Sequence, residues 1–504
     1  MPLDRSACFR ALAARDRRFD GVFFVGVTST GVYCRPVCTS RTPRAANCRF
    51  FSHPAAAERS GFRPCLRCRP ELAPGHAPVD ASAALAERAA RAIAAGALNE
   101  RSVEELASSL GVTARHLRRA VDAQLGVSPI ELATTHRLLL AKRLLHESSL
   151  PVGQVAFAAG FASLRRFNAA FHAQYRLNPT TLRRAAATPH HASAPPGAWI
   201  ELTLEYRPPL DWPGLLRYLA ARATVGVECV DGDAYYATIN DPVPGELVLT
   251  HRARRGETAA ARSMPGVVVA RLSPSLLPAL MPVLARVRDL LDLDADPRRI
   301  GQDLARAGLL RHASELRGAR VPGTLDPFGL VVRTILGQQV SVKGASSLMA
   351  RFVERFGTAY EGTHAGLTRL MPSCRTIARA RADDVAALGV TRVRAEAIIA
   401  LARAVCDGSV SLTPGADATR SIRALVALPG IGDWTAQYVA MRALRWPDAF
   451  PAGDLVLRRA AGGLTPTQLL RHAEAWRPWR AYAAMHLWRT APAPQMRNSS
   501  NASR

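Results

Sequence analysis

Lysine is almost missing from this chain of 504 residues: Lys142 and Lys343 are the only two, although lysine and arginine together number 66. A GC-rich genome is reason enough for arginine to replace lysine, but it does not account for a formal charge of +26 and a pI near 11. An excess of that size favours a polyanionic partner, and for a soluble protein that partner is nucleic acid. Also missing is any run of 18 or more apolar residues, which excludes a membrane-spanning helix. The first twenty residues, MPLDRSACFRALAARDRRFD, lack the apolar core of a secretory signal, so the expected compartment is a reducing cytoplasm where disulfides are rare. Nine cysteines, an odd number, fit that reading, and any that cluster should hold a metal or react. With 48% apolar and 21% charged residues the composition is globular, and the length allows three or four domains.

The cysteines do cluster. The stretch GVYCRPVCTSR carries Cys34 and Cys38, and GFRPCLRC carries Cys65 and Cys68. Two close pairs separated by a span of this length can bring four thiolates to one tetrahedral zinc. Cys8 and Cys48 fall outside the pattern and read as packing or surface residues. A purely structural zinc knot is the plain reading of four cysteines. Residues 4–75, through "TGVYCRPVC" and the four cysteines, resemble the N-terminal domain of the Ada adaptive-response family. The resemblance implies that a methyl group passes from a DNA methylphosphotriester to the first cysteine of C-R-P-x-C, here Cys34. Zinc keeps a bound thiol deprotonated at neutral pH. Methylating one of four thiolates takes the site from a charge of about −2 to about −1, which lessens its repulsion from the DNA backbone.

Two helix-turn-helix patterns follow. In SVEELASSLGVTARHLRRAVDAQLG, Ser102 and Glu105 form a capping box, Val103, Leu106, Ala107 and Leu110 an apolar face, and Gly111 the turn. The next helix presents Arg115, His116, Arg118 and Arg119 around a seam of Leu117 and Val121. In the second unit Pro151 suits a helix start, Gly160 the turn and Ser163 an N-cap. Leu164, Phe167 and Phe171 are expected inside, with Arg165, Arg166 and Asn168 outside. The tandem pattern resembles the AraC/XylS family of transcription activators, which implies promoter DNA and RNA polymerase as partners. Exposed arginines are more often solvated or on phosphate than on bases. The proline- and histidine-rich stretch AATPHHASAPPGA, residues 186–198, reads as a linker. The Pro-Cys-His-Arg motif of an alkylguanine methyltransferase, which completes the full Ada architecture, does not occur in the chain.

Beyond the linker the residues to about 290 mix strands with a helix, and from about 320 the pattern is all-helical. LPGIGDW is a helix-hairpin-helix signature in which Gly430 and Gly432 allow backbone N–H groups to approach a DNA phosphate, with a monovalent cation as a possible bridge. Asp454 follows a Pro-Ala-Gly turn at a helix start, where an aspartate is ordinarily a cap. Residues 201–490, through "PPLDW", "YLAARA", "ILGQQVSV", "LPGIGDWTAQY" and "WRPWRAYAAMHLW", resemble the AlkA-type 3-methyladenine DNA glycosylase II of the helix-hairpin-helix superfamily. The resemblance implies that Asp454 is the essential carboxylate and that Tyr218, Trp434, Tyr438 and Trp488 line an aromatic base pocket; for the aromatics the alternative is core packing. An alkylated base is a cationic leaving group, so a carboxylate near C1′ suffices to stabilise the oxocarbenium-like sugar. Trp434 stands where bifunctional members carry a Schiff-base lysine, which points to a monofunctional enzyme. Gln338 and Gln339 are expected at the DNA; GQQV stands where the family places a leucine wedge, so Gln339 or a neighbour would have to fill the gap left by the flipped base. Around Asp454, AGDLV lacks a preceding acid and a following aromatic.

The expected architecture is multidomain and mainly α. A small α+β zinc and methyl-acceptor domain (1–78) precedes an all-α double helix-turn-helix domain (80–186) and a linker (187–198). An α+β domain (199–312) then leads into the all-α helix-hairpin-helix glycosylase domain (313–490) and a disordered tail (491–504). The expected protein is a fused alkylation-response factor of the bacterial nucleoid that binds double-stranded DNA and no membrane. The competing expectation is a transcription regulator whose glycosylase-like part only binds DNA.

Overall fold

The computed structural model describes residues 5–15, 20, 23–52, 54–70, 78–185, 199–252 and 266–491. The linker and nearly all of the tail lie outside them. The chain forms two compact units, Met1–Thr135 and His136–Arg504.

In the first unit, α1 (Arg5–Ala13) precedes a four-stranded sheet of order β3-β1-β2-β4. β1 (Phe24–Val27) is antiparallel to β2 (Val32–Cys34) and β3 (Cys48–Phe51), and after α2 (Pro54–Arg59) the short β4 (Arg63–Pro64) pairs in parallel with β2. The partners Tyr33 and Pro64 set the register, so Cys34 and Cys65 leave neighbouring strands side by side. The helices α3 (Pro78–Ala94), α4 (Val103–Ser109) and α5 (Ala114–Leu125) close on Leu85, Ile93, Leu106, Leu117 and Val121. The Ser102–Glu105 capping box forms as the sequence requires, and Gly111 turns the chain at φ +75°.

The division between the units falls inside α6 (Pro129–Glu147), within the segment expected to be one helix-turn-helix domain. The second helix-turn-helix, α7 (Val152–Ala158) and α8 (Leu164–Tyr175), is followed by α9 (Pro179–Ala185). Ser163 caps α8 through the Arg166 amide, and Phe167 and Phe171 are fully buried. Leu164 departs from expectation: it is 41% exposed. As the first residue of α8 it sits at the end of the apolar seam, beyond the last neighbour that could cover it.

An antiparallel sheet of order β5-β9-β8-β7-β6 comes next, from β5 (Ile200–Tyr206), β6 (Glu228–Asp231), β7 (Ala234–Ile239), β8 (Gly245–Arg252) and β9 (Gly266–Leu272), with α10 (Trp212–Ala220) between β5 and β6. β5 alternates in burial, with Ile200, Leu202, Leu204 and Tyr206 inward. The same apolar cluster takes in Leu138, Ala141, Leu144 and Phe171, so the second helix-turn-helix and the sheet share one core. β5 is an edge strand, and Thr203 directs its free backbone groups at α6. Its N–H donates to Glu147 (2.7 Å) and its carbonyl accepts from Arg143, while Arg143 and Glu147 pair with each other. Side chains of a helix thus satisfy groups that would otherwise be open to another strand.

The remaining helices enclose two further clusters, one around Phe328, Phe352, Ile398 and Val439 and one around Met441, Phe450, Trp476 and Tyr482. The all-helical expectation needs one correction. β10 (Thr358–Ala359) and β11 (Arg369–Leu370) form a ribbon, and the amides of Thr368 and Arg369 donate to the Gly226 carbonyl. Two-residue strands give no periodic signal, so sequence pattern cannot find them.

Asp326 caps the helix Pro327–Leu336 by accepting from the Gly329 amide at 2.9 Å. Burial pushes its carboxyl up to about 6, against the opposing pull of that amide. The folded state therefore holds the proton more tightly than the unfolded chain does. The resulting stability is fully present below pH 3.8 and is lost as pH rises through about 6. Asp326→Asn keeps the cap and removes the titration. Urea unfolding of wild type should weaken by up to about 3 kcal/mol between pH 4 and 7 relative to the variant.

Candidate active site and metal centre

The four sulfurs of Cys34, Cys38, Cys65 and Cys68 lie within 4.8 Å of one another. β2 and β4 deliver Cys34 and Cys65, and the turns that follow return Cys38 and Cys68: the Cys38 amide donates to the Arg35 carbonyl and the Arg69 amide to the Cys65 carbonyl. The Arg35 amide donates to the Cys68 sulfur at 3.4 Å. Arg35 itself is buried and paired with Asp20, so it braces the C-R-P-x-C turn. Hydrogen bonds from Cys38 and Cys68, with burial, raise the Cys34 thiol, while its bond to Cys34 lowers Cys38. Four soft donors at this spacing fit a zinc ion. Cys34, Cys38 and Cys65 open onto a cavity of about 460 Å³ rimmed by Arg41, Arg63 and Arg67. Cys68 is sealed. Cys8 and Cys48, outside the cluster, are both buried.

In the second unit Asp454 is the N-cap of the helix Leu455–Ala460 and its Oδ1 accepts from the amides of Val456 and Leu457, each at 2.9 Å. That is the ordinary work of a cap. Two indoles add to it: Trp488 Nε1 donates to Oδ1 and Trp434 Nε1 to Oδ2, each at 3.1 Å. Oδ1 thus has three donors and Oδ2 one, so Oδ2 keeps acceptor capacity for a group outside the protein. The two tryptophans, expected as pocket aromatics, also hold the carboxylate through their indole N–H groups. Trp488→Phe keeps the ring and removes one charge-assisted hydrogen bond of about 1.5–3 kcal/mol. Base excision should fall roughly tenfold or more in single-turnover assays, with the fold unchanged.

The other aromatics adjoin this carboxylate. Trp434 stacks on Tyr438 with centroids 5.4 Å apart and planes within 6°, and Tyr438 meets the edge of Trp488 at 6.3 Å. The Tyr218 and Tyr438 hydroxyls are 3.2 Å apart. Two arginines that sequence reasoning passed over complete the group. The Arg222 guanidinium lies 3.9 Å over the Tyr218 ring, and Arg442 lies 5.1 Å from it. Arg442 is buried, donating to the carbonyls of Pro322 and Gly323 and to the Tyr438 hydroxyl. Burial opposes ionisation of Tyr438, but Arg442 and Arg222 outweigh it and bring the phenol below the usual tyrosine range. Burial raises Tyr218. A signal was available: tyrosine and arginine stand four apart in both YLAAR and YVAMR, the second pair on one helix and the first at a helix end.

Gly430 has φ +79°, and exposed Gly432 caps the helix Asp433–Arg442. The Gln338 side chain donates to the Gly430 carbonyl at 2.8 Å, tying its turn to the hairpin. Gln339 is exposed and left-handed at φ +58°, next to Val340, which is 41% exposed. Arg115, Arg165 and Arg166 are exposed. Arg118, also exposed, pairs with Glu104 at 2.7 Å.

Comparison with known proteins accounts for four segments. Residues 7–71 match the metal binding domain of Ada, 106–185 a helix-turn-helix domain, 201–326 the AlkA N-terminal domain, and 332–474 the HhH-GPD superfamily of base excision DNA repair proteins. Over 496 residues, 97% of each chain, the sequence is 40% identical to a "Probable bifunctional transcriptional activator/DNA repair enzyme AlkA" of Mycobacterium tuberculosis. It is 36% identical over 288 residues to DNA-3-methyladenine glycosylase 2 of Escherichia coli, covering 57% of this chain and 96% of that one. A third relative, the bifunctional transcriptional activator/DNA repair enzyme Ada of Escherichia coli, is 33% identical over 125 residues, 24% of this chain and 33% of that one.

Proposed function

Since the chain belongs to the family of bifunctional transcriptional activator/DNA repair enzymes of the AlkA kind, we propose that it senses alkylated DNA with its cysteine cluster, activates repair promoters and excises alkylated bases such as 3-methyladenine. The observation that carries the excision reading is the Asp454 carboxylate, fixed by two indoles and two amides with Oδ2 still able to accept. Fixed donors hold the carboxylate in place before substrate arrives, so little reorganisation is needed as positive charge develops on the sugar. A base flipped into the aromatic group departs as a neutral purine, and water takes its place at C1′. The enzyme is monofunctional: Trp434 occupies the position after the hairpin, and no lysine lies between Lys343 and the end of the sequence.

Cys34 is the methyl acceptor. Its sulfur forms a bond to the methyl carbon of a phosphotriester, the C–O bond breaks, and the phosphodiester leaves as an anion. Cys34, Cys38, Cys65 and Cys68 would hold zinc, which when bound keeps the thiols deprotonated. The arginine rim of the cavity suits the flanking phosphates. The hairpin at Gly430 and Gly432 presents backbone to a DNA phosphate with a monovalent cation between them. The two helix-turn-helix units, with Arg115, Arg118, Arg165 and Arg166, take promoter DNA, and RNA polymerase is the partner in activation. Such a protein works on the nucleoid in the cytoplasm.

The test is one incubation with methylated duplex DNA, read three ways. Free 3-methyladenine should appear, the abasic strand should stay uncut with no borohydride-trapped adduct, and the peptide containing Cys34 should gain one methyl group. Strand cleavage would refute the monofunctional assignment, and a methyl on Cys38 or Cys65 would refute the choice of acceptor.

A further inference from the structure

Cys374 and Cys406 stand apart from the thiol cluster and from the Asp454 site. Cys374 is the first residue of the helix Cys374–Ala378, and Cys406 is the last of the helix Arg392–Cys406. Their sulfurs are 3.3 Å apart, although the residues are 32 positions apart in sequence. Cys406 is exposed and Cys374 partly buried, so a small oxidant meets the Cys406 sulfur more readily. Burial and the neighbouring sulfur push the Cys374 thiol up to about 11, which suits a group that reacts second.

We propose that Cys374 and Cys406 form a peroxide-responsive dithiol that closes reversibly into a disulfide. The Cys406 thiolate attacks one oxygen of a hydroperoxide, the O–O bond breaks, and with a proton the products are a Cys406 sulfenic acid and water or an alcohol. Cys374 sulfur then attacks the sulfenic sulfur, its proton leaving with the hydroxyl as water. Two thiols are oxidised by two electrons and one peroxide is reduced. The two sulfurs already touch, and the helices that carry them pack against each other, so closure needs no distant segment to be brought in.

The staple would act on a helix that supports the DNA side of the molecule. Arg394, on the helix Arg392–Cys406, donates to the Gln338 carbonyl. Ala397 of the same helix backs the hairpin so closely that a Cβ at Gly430 would come within 3.0 Å of its side chain. Closing a loop of this length restricts the unfolded chain, so oxidised protein should melt several degrees higher than reduced protein.

The test uses zinc-loaded full-length protein treated with hydrogen peroxide, capped with N-ethylmaleimide and mapped as peptides without reductant. A link between the peptides bearing Cys374 and Cys406, reversed by dithiothreitol, is the expected result. In Cys374→Ser, Cys406 should instead be trapped by dimedone as the sulfenic acid. Either of two results would overturn the proposal: both cysteines still capped by maleimide after peroxide, or Cys406 driven to sulfinic acid in wild type while Cys374 stays free. Peptide mapping keeps this pair distinct from oxidation of the four-cysteine cluster, and neither variant nor readout depends on excision.

Discussion

Asp454→Asn should slow release of 3-methyladenine by a factor of about 10²–10³ or more while leaving the fold and DNA binding close to wild type. The substitution is selective because of how the carboxylate is held. Oδ1 accepts from Val456, Leu457 and Trp488, and the asparagine carbonyl can take over all three bonds. Only the Oδ2 position changes, where an NH₂ would face the Trp434 N–H. Two donors facing each other cost about 1–3 kcal/mol, too little to unfold a domain but enough to show as a lower melting temperature. The lost negative charge is the larger effect, because an oxocarbenium-like sugar has no other fixed anion among the residues that contact Asp454. Single-turnover base release together with a DNA-binding titration separates the two. Wild-type release by the variant would remove Asp454 from the chemistry and restore the reading of this part as a DNA-binding module.

Chelating the metal should unfold the N-terminal sheet and leave excision untouched. Among the described residues, the core of this segment consists of the cysteine cluster with Leu12 and Val25 and two small aromatic groups around Phe24 and Tyr33 and around Phe23. That is too little apolar surface to fold alone. Structural zinc in small domains supplies about 10–16 kcal/mol at neutral pH, so its removal exceeds any stability the sheet can have. Hydrogen exchange should show residues 24–68 losing protection at once after chelation. Cys68→Ser should do the same without chelator, since Cys68 is fully buried and has no route to water. A segment that kept its protection without metal would contradict the zinc assignment itself. A loss of excision on chelation would contradict the separate cores of the two units.

Legibility from sequence tracked the range of the contacts involved. The capping box at Ser102, the cap at Ser163 and the helix start at Asp454 are local, and each stands where the residues put it. The four cysteines were readable because metal-ligand spacing is a local code repeated twice; what joins the two pairs, the parallel register of β2 and β4, was not. Around Asp454 the residue types were legible and their use was not. Aromatic rings suggest stacking, and Trp434 does stack on Tyr438, but that Trp434 and Trp488 also contribute their N–H groups to Asp454 had no signal. Arg222 and Arg442 were overlooked because arginine is everywhere in this chain, and an abundant residue loses its value as a signal. The core shared by α8 and the β-sheet had no precursor in the pattern, since each face is apolar on its own terms and nothing local names its partner.

That shared core also bears on how the chain can be divided. A proline-rich linker invites a cut between regulator and enzyme, yet the Arg143–Glu147 pair on one side of it seals the Thr203 edge on the other. A fragment starting at residue 199 would leave the Thr203 backbone groups of an edge strand open, a site for strand-to-strand pairing. The natural seam lies inside α6, at a point where no linker composition marks it. Regulator and enzyme are thus joined through packing as well as through the linker, and a cut at the linker divides a core.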